Sequence, residues 1–146
     1  MTLPPLYFTG MSDDALFAYF ARLIDLVNDD RLKIYLYHIP QVSGVGLSIP
    51  LVTRLHAAFP EIIVGIKDSS GDWENTKALL SLDRLIVYPG AALPVIAASR
   101  LGAPGCVSAT ANLNGIDVAE GLARRHAGDR EACTQTHTTD RPVGVL

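Results

Sequence analysis

Apolar residues in this chain fall into two alternating kinds of segment. The first kind is short, rich in β-branched and aromatic side chains, and apolar without interruption. It occurs at residues 2–6, 33–39, 62–66, 85–88 and 106–109. Continuous apolar character, as opposed to every second position, is expected of parallel strands covered on both faces. The second kind has helical spacing. Ser12 is placed to cap a helix whose first turn holds Asp13 and Asp14, with Leu16, Phe17, Phe20, Leu23, Ile24 and Val27 along one stripe. Ser48 and Pro50 open a second helix carrying Val52, Leu55 and Phe59, and Asp72 opens a third with Thr76, Leu79 and Leu80. Residues 91–101 and 114–126 form a fourth and a fifth, ended by Gly102 and Gly128. The order is βαβαβαβαβα, which predicts α/β architecture with a parallel sheet.

Composition narrows the class. The chain has 146 residues, 49% of them apolar and 18% charged, the balance of one globular domain and not of a disordered segment. A net charge of −3 offers no electrostatic footprint for nucleic acid or an anionic membrane. No apolar run reaches the length of a membrane span, and the first residues lack the layout of a signal peptide. The expectation is a soluble cytoplasmic protein. Cys106 and Cys133 stand apart without metal or disulfide spacing. His38, His56, His126 and His137 are too scattered to predict a metal site. If the second strand is regular, His38 points away from Tyr37 and packs outside the sheet's inner face.

No Gly-x-Gly-x-x-Gly turn follows any strand, so a dinucleotide fold lacks its main support. The unusual residues Tyr7, Tyr37, Lys67, Gly90 and Thr110 instead fall at five different strand ends. In a (β/α)8 barrel all such ends open on one face and converge on one pocket. Lys67 closes the apolar run from Glu61 and is followed by Asp68, Ser69, Ser70, Gly71 and Asp72. Desolvation where a buried strand meets solvent disfavours an ammonium and frees its lone pair to attack a carbonyl. A solvated lysine before a helix-capping turn is the alternative.

The segment Tyr37-His38-Ile39-Pro40-Gln41-Val42-Ser43-Gly44-Val45 lies upstream of Gly65-Ile66-Lys67-Asp68-Ser69-Ser70-Gly71-Asp72, with Tyr37 and Lys67 thirty residues apart (67 − 37). Together they resemble the dihydrodipicolinate synthase / N-acetylneuraminate lyase family of Schiff-base aldolases. Val87-Tyr88-Pro89-Gly90 and the stretch from Gly102 to Asn112 are similar to that family's last two strands. The resemblance implies a partial (β/α)8 barrel over residues 1–130, about its last five βα units. It implies Lys67 as the imine-forming lysine and Tyr37 as a proton relay. Ser69 would help orient substrate, Gly90 and Val107 would line the pocket with backbone, and Tyr7 would reach a neighbouring subunit's site. The implied substrate is pyruvate or another 2-oxo acid. No cofactor or metal is expected, because a protonated imine is its own electrophile. A homo-oligomer is expected of the full-length form.

The departures are informative as well. Val42 stands where the synthase branch has a carboxylate-binding arginine, and an apolar side chain makes no bidentate contact. Ala91 and Ala92 stand where the sialic-acid branch has acidic residues. Both named activities are therefore disfavoured, and the pocket reads as more apolar than either requires. The family's first three strands, with the turn that holds the 2-oxo acid's carboxylate, have no counterpart here. Five strands cannot close a barrel, so the isolated chain is expected to associate through its open edges. Residues 131–146 lose the helical stripe and read as an atypical tail, either a truncated or frame-altered end or a natural disordered segment. The rival to an enzyme is a catalytically inactive chain that retains only the fold signature.

Overall fold

The computed structural model describes residues 1–6, 8–109 and 111–126. Helix α1 spans Asp13–Val27, strand β1 Ile34–His38, the single turn α2 Pro40–Ser43, and α3 Ile49–Ala58. Strand β2 follows at Ile63–Asp68, then α4 at Trp73–Leu80, β3 at Ile86–Pro89, α5 at Val95–Arg100 and α6 at Ala111–His126. The three strands form one parallel sheet in the order β1-β2-β3. Its register aligns three rows that matter: Tyr35, Gly65 and Ile86; Leu36, Ile66 and Val87; Tyr37, Lys67 and Tyr88. Among the described residues no helix is long and apolar enough to cross a membrane.

The caps read from sequence are the caps in place. Ser12 accepts from the Ala15 amide, Ser48 from Leu51, and Asp72 from Glu74 and Asn75, so the orphan donors of three helix starts are satisfied. The Ser48 hydroxyl also donates to Asp13, at 2.5 Å, joining the starts of α1 and α3. Leu16 and Phe20 of α1, Leu51, Val52 and Leu55 of α3, Leu79 of α4, and Leu36, Ile63, Ile66 and Val87 of the sheet form one core. Each such side chain contributes about 1.5–3 kcal/mol through burial. This core occupies only the helix-covered face. On the other face the side chains of Tyr35, Tyr37, Lys67 and Tyr88 are half-buried and Ile86 is 38% exposed.

Two expected strands do not form. Residues 2–6 contribute one bridge, Thr2 to Leu36, in which Thr2 exchanges hydrogen bonds with Tyr35 and Tyr37. Pro4 and Pro5 lack the N–H groups that would extend it. Residues 106–109 contribute one bond, Val107 N–H to the Pro89 carbonyl at 3.0 Å. The observed sheet is thus three strands flanked by two single pairings, not five strands. The fourth helix also starts later than expected, because Pro94 disfavours helical backbone just before it and becomes the cap. The turn α2, capped by Gly44 at φ +68°, was hidden inside the Tyr-x-x-Pro segment.

Candidate functional site

Tyr37 and Lys67 are the penultimate residues of adjacent parallel strands and are register partners. Strand alternation sends both side chains to the half-open face, where the Lys67 amine donates to the Tyr37 hydroxyl at 2.8 Å. The same amine lies 4.1 Å from the centroid of the Tyr37 ring. Lys67 beside it holds the Tyr37 phenol below its ordinary pKa, opposed by burial and aided by hydrogen bonding to Ser69. The other two lysines are placed differently. Lys33 and Lys77 both lie beside carboxylates, Glu61 and Glu74, on the outer surface.

The turn after β2 gathers the next residues. Ser69 donates its N–H to the His38 carbonyl at 2.8 Å and accepts at its own carbonyl from the Gln41 side-chain amide at 2.5 Å. Gly90 donates to the Asp68 carbonyl at 2.7 Å. A side chain at 90 would overlap Ser69, so only glycine lets the β3 turn close over the β2 turn. Val107, bonded through its N–H to Pro89 and 36% exposed, sits at the same end of the sheet. The structure therefore brings Lys67, Tyr37, Ser69, Gly90 and Val107 to the carboxyl ends of the strands. Tyr7, Thr110 and residues 131–146 lie outside the described residues. Val42 is 69% exposed on α2, and Leu93 is 64% exposed beyond β3.

A cavity of about 400 Å³ opens beside this cluster, walled by Ser69, Gly90, Ala91, Leu93, Pro94, Trp73 and the first turn of α4. Lys67 and Tyr37 are not among its walls. The chemistry-bearing pair sits on the half-open face of the sheet, and it is the geometry of that pair that carries the functional reading. Among the described residues no three His, Cys, Asp or Glu side chains cluster to hold a metal ion.

Sequence reasoning missed the layer behind the pair. His38 is buried, as expected of a residue facing away from Tyr37. Its Nδ1 accepts from the Leu47 N–H at 3.0 Å, which assigns the acceptor tautomer there. Asp68, read as a turn residue, is the last residue of β2, 3% exposed. Tyr88, register partner of Lys67 on its other side, packs against Tyr35 with ring centroids 5.8 Å apart. Strict alternation through Ile66-Lys67-Asp68 was the signal that could have placed Asp68 inside.

The chain matches the Dihydrodipicolinate synthetase family over residues 1–143. An uncharacterized DapA-like lyase of Chloroflexus aurantiacus is 36% identical over 75% of this chain and 36% of its own length. The crystal structure of dihydrodipicolinate synthase from Agrobacterium tumefaciens is 42% identical, with TM-score 0.76, over 80% of this chain and 41% of that one. That of YagE, an E. coli K12 prophage protein of the family in complex with pyruvate, is 25% identical, with TM-score 0.83, over 94% and 46%. The chain spans less than half the length of these relatives.

Proposed function

Because this chain belongs to the dihydrodipicolinate synthetase family, we propose that it supplies the imine-forming half of a lyase acting on pyruvate or a related 2-oxo acid. The observation that carries this is the 2.8 Å contact between the Lys67 amine and the Tyr37 hydroxyl at the strand ends. The pyruvate bound to YagE is in keeping with it. In this reading Lys67 Nζ attacks the ketone carbon, the carbonyl oxygen leaves as water, and a protonated imine remains. The imine takes up the electron pair when the bond between C3 and C4 breaks, and returns it when that bond forms. Tyr37, whose phenol yields its proton more readily than an ordinary tyrosine, relays protons to and from the departing oxygens. Ser69 orients substrate, while Gly90 and Val107 present backbone to it. Tyr7 is proposed to reach a neighbouring subunit, in a homo-oligomer of the full-length form. No cofactor takes part.

The architecture proposed for residues 1–130 is about the last five βα units of a (β/α)8 barrel, with residues 131–146 as an atypical tail. The half-open face bearing Tyr35, Tyr37, Lys67 and Tyr88 is then the barrel interior, closed by the units the family's full-length members add. Among the described residues the carboxyl ends of the strands carry one cationic side chain, Lys67, whereas Val42 and Val107 nearby are exposed and apolar. The second substrate is therefore read as an apolar aldehyde and not a carboxylate or polyol. A chain joined to the portion of the Agrobacterium enzyme it does not cover provides the test. Pyruvate release from 2-oxo-4-hydroxy acids with apolar substituents is expected. Release from none of them would sink the reading. A kcat/KM of about 10⁴ M⁻¹s⁻¹ or more with sialic acid, or with pyruvate plus aspartate semialdehyde, would remove the apolar assignment.

A second reading, an inactive family member retaining only the fold signature, draws on one observation: the chain spans 36–46% of the relatives named above. Release of pyruvate by the 146-residue chain alone would exclude it.

A further inference from the structure

Directly behind the Tyr37–Lys67 pair, on the helix-covered face, His38 and Asp68 are the next register partners. Asp68 is a carboxylate 3% exposed, and its donors are all neutral. Oδ1 accepts from the Ser70 N–H at 3.0 Å, and Oδ2 accepts from the Thr76 hydroxyl at 2.7 Å and the Asn75 amide at 3.1 Å. A buried carboxylate without a cation is costly, and three hydrogen bonds offset that cost only while their geometry holds. The main chain at the same residue is tied as well. Its carbonyl accepts from Gly90, and the following amide donates to His38.

We propose that Asp68 is a positioning residue, whose bonds to Thr76 and Asn75 in α4 clamp the end of β2 so that the Lys67 amine meets the Tyr37 hydroxyl. Neighbouring residues of a strand face opposite sides, so fixing the side chain at 68 fixes the backbone torsions that aim the side chain at 67. A lysine has four rotatable bonds and cannot hold its amine by itself; the strand end and the phenol must do so. A misplacement of about an ångström in such a site costs on the order of a hundredfold in rate. The same clamp sets Ser69, which touches Tyr37 on one side and Gly90 on the other. This role rests on Lys67 being the imine-forming residue, yet the contact it governs can be measured without any 2-oxo acid.

The test follows the five tyrosines of the 146-residue chain by carbon-13 NMR of the ring carbon bearing the hydroxyl, with Tyr37→Phe assigning one signal. In the parent chain Tyr37 titrates below the ordinary tyrosine value because Lys67 donates to it. Asp68→Ala removes all three acceptor contacts, and the Tyr37 titration is expected to return toward about 10. Asp68→Asn keeps the size and one acceptor, and the Thr76 hydroxyl and Asn75 amide can turn to accept from its NH2 group. Its titration should stay at the parental position. Thr76→Val removes one donor at nearly constant volume and should give a smaller shift in the same direction. A folded Asp68→Ala chain, checked by far-ultraviolet circular dichroism, with Tyr37 unmoved would overturn the proposal. Should that variant lose its fold, an unmoved Tyr37 in Thr76→Val overturns it equally. The expected shifts with no pyruvate adduct at Lys67 would leave the clamp standing and remove the imine reading.

Discussion

Gly65→Ala tests how tightly the half-open face is built around the site. Gly65 lies two residues before Lys67 on the same face, in a row with Tyr35 and Ile86. A methyl group there would sit 2.6 Å from Tyr35 Cδ1 and would overlap the Ile86 carbonyl. Carbons in contact prefer about 3.5–4.0 Å, so the ring must retreat by about an ångström against Tyr88. The carbonyl has less room, since it belongs to the strand directly opposite, and relief there requires β2 and β3 to part. Overpacking of this kind costs about 1–3 kcal/mol, and two simultaneous overlaps place Gly65→Ala near the upper end of that range. Urea unfolding followed by fluorescence of Trp73, the single tryptophan, measures it. A double-mutant cycle with Tyr35→Ala then separates the two contacts. Because the backbone overlap remains when the ring is removed, most of the loss should persist, with a coupling energy below about 1 kcal/mol. A Gly65→Ala chain within about 0.5 kcal/mol of the parent, or full rescue by Tyr35→Ala, would refute the packing argument.

Three further outcomes follow from the same geometry. Burial holds the His38 imidazole below its ordinary pKa, with Asp68 opposing. The unfolded chain therefore binds the proton more readily, so stability from this group is present in full above about pH 6.5 and is lost as pH falls toward and through the lowered folded value. Urea midpoints from pH 8 to 5 should decline with a slope that flattens in His38→Asn, and an unchanged slope would contradict this. Ser48→Ala removes the cap of α3 and its tie to Asp13, for a loss of about 0.5–2 kcal/mol by urea unfolding; a neutral result would mean that the cap is replaced by solvent. Burial pushes the Cys106 thiol up, so it should alkylate with iodoacetamide at neutral pH more slowly than a free cysteine peptide. An equal rate, read by peptide mass spectrometry, would count against its buried setting.

The regular parts of the fold were legible because local and tertiary signals agreed. Ser12, Ser48 and Asp72 cap the helices their side chains suit, and the apolar stripe of α1 places Leu16, Phe20 and Ile24 in the core. The edges were less legible, because apolar character alone does not make a strand. Residues 2–6 and 106–109 each border the sheet on one side, and Pro4 and Pro5 remove the donors a longer ladder needs in the first of them. The Tyr37–Lys67 contact was readable from the two segments that carry the family resemblance. Asp68 was passed over, since an aspartate before Ser-Ser-Gly reads as a turn; the alternation Ile66-Lys67-Asp68 places it inside only once the strand is carried one residue past Lys67, as the register has it. Gln41, which reaches across to Ser69, depends on the short turn α2, too brief to leave a helical period.

The central claim is that Lys67 forms the imine, and the most direct measurement is a peptide map of the chain after borohydride reduction with pyruvate. The chain has three lysines, Lys33, Lys67 and Lys77, so the assignment is unambiguous. It is made on the chain joined to the portion of the Agrobacterium enzyme it does not cover, with peptides from the joined portion mapped separately. A reduced pyruvate adduct on the peptide containing Lys67, lost in Lys67→Met and weakened in Tyr37→Phe, is the predicted result. An adduct at Lys33 or Lys77, or none on this chain, would contradict it.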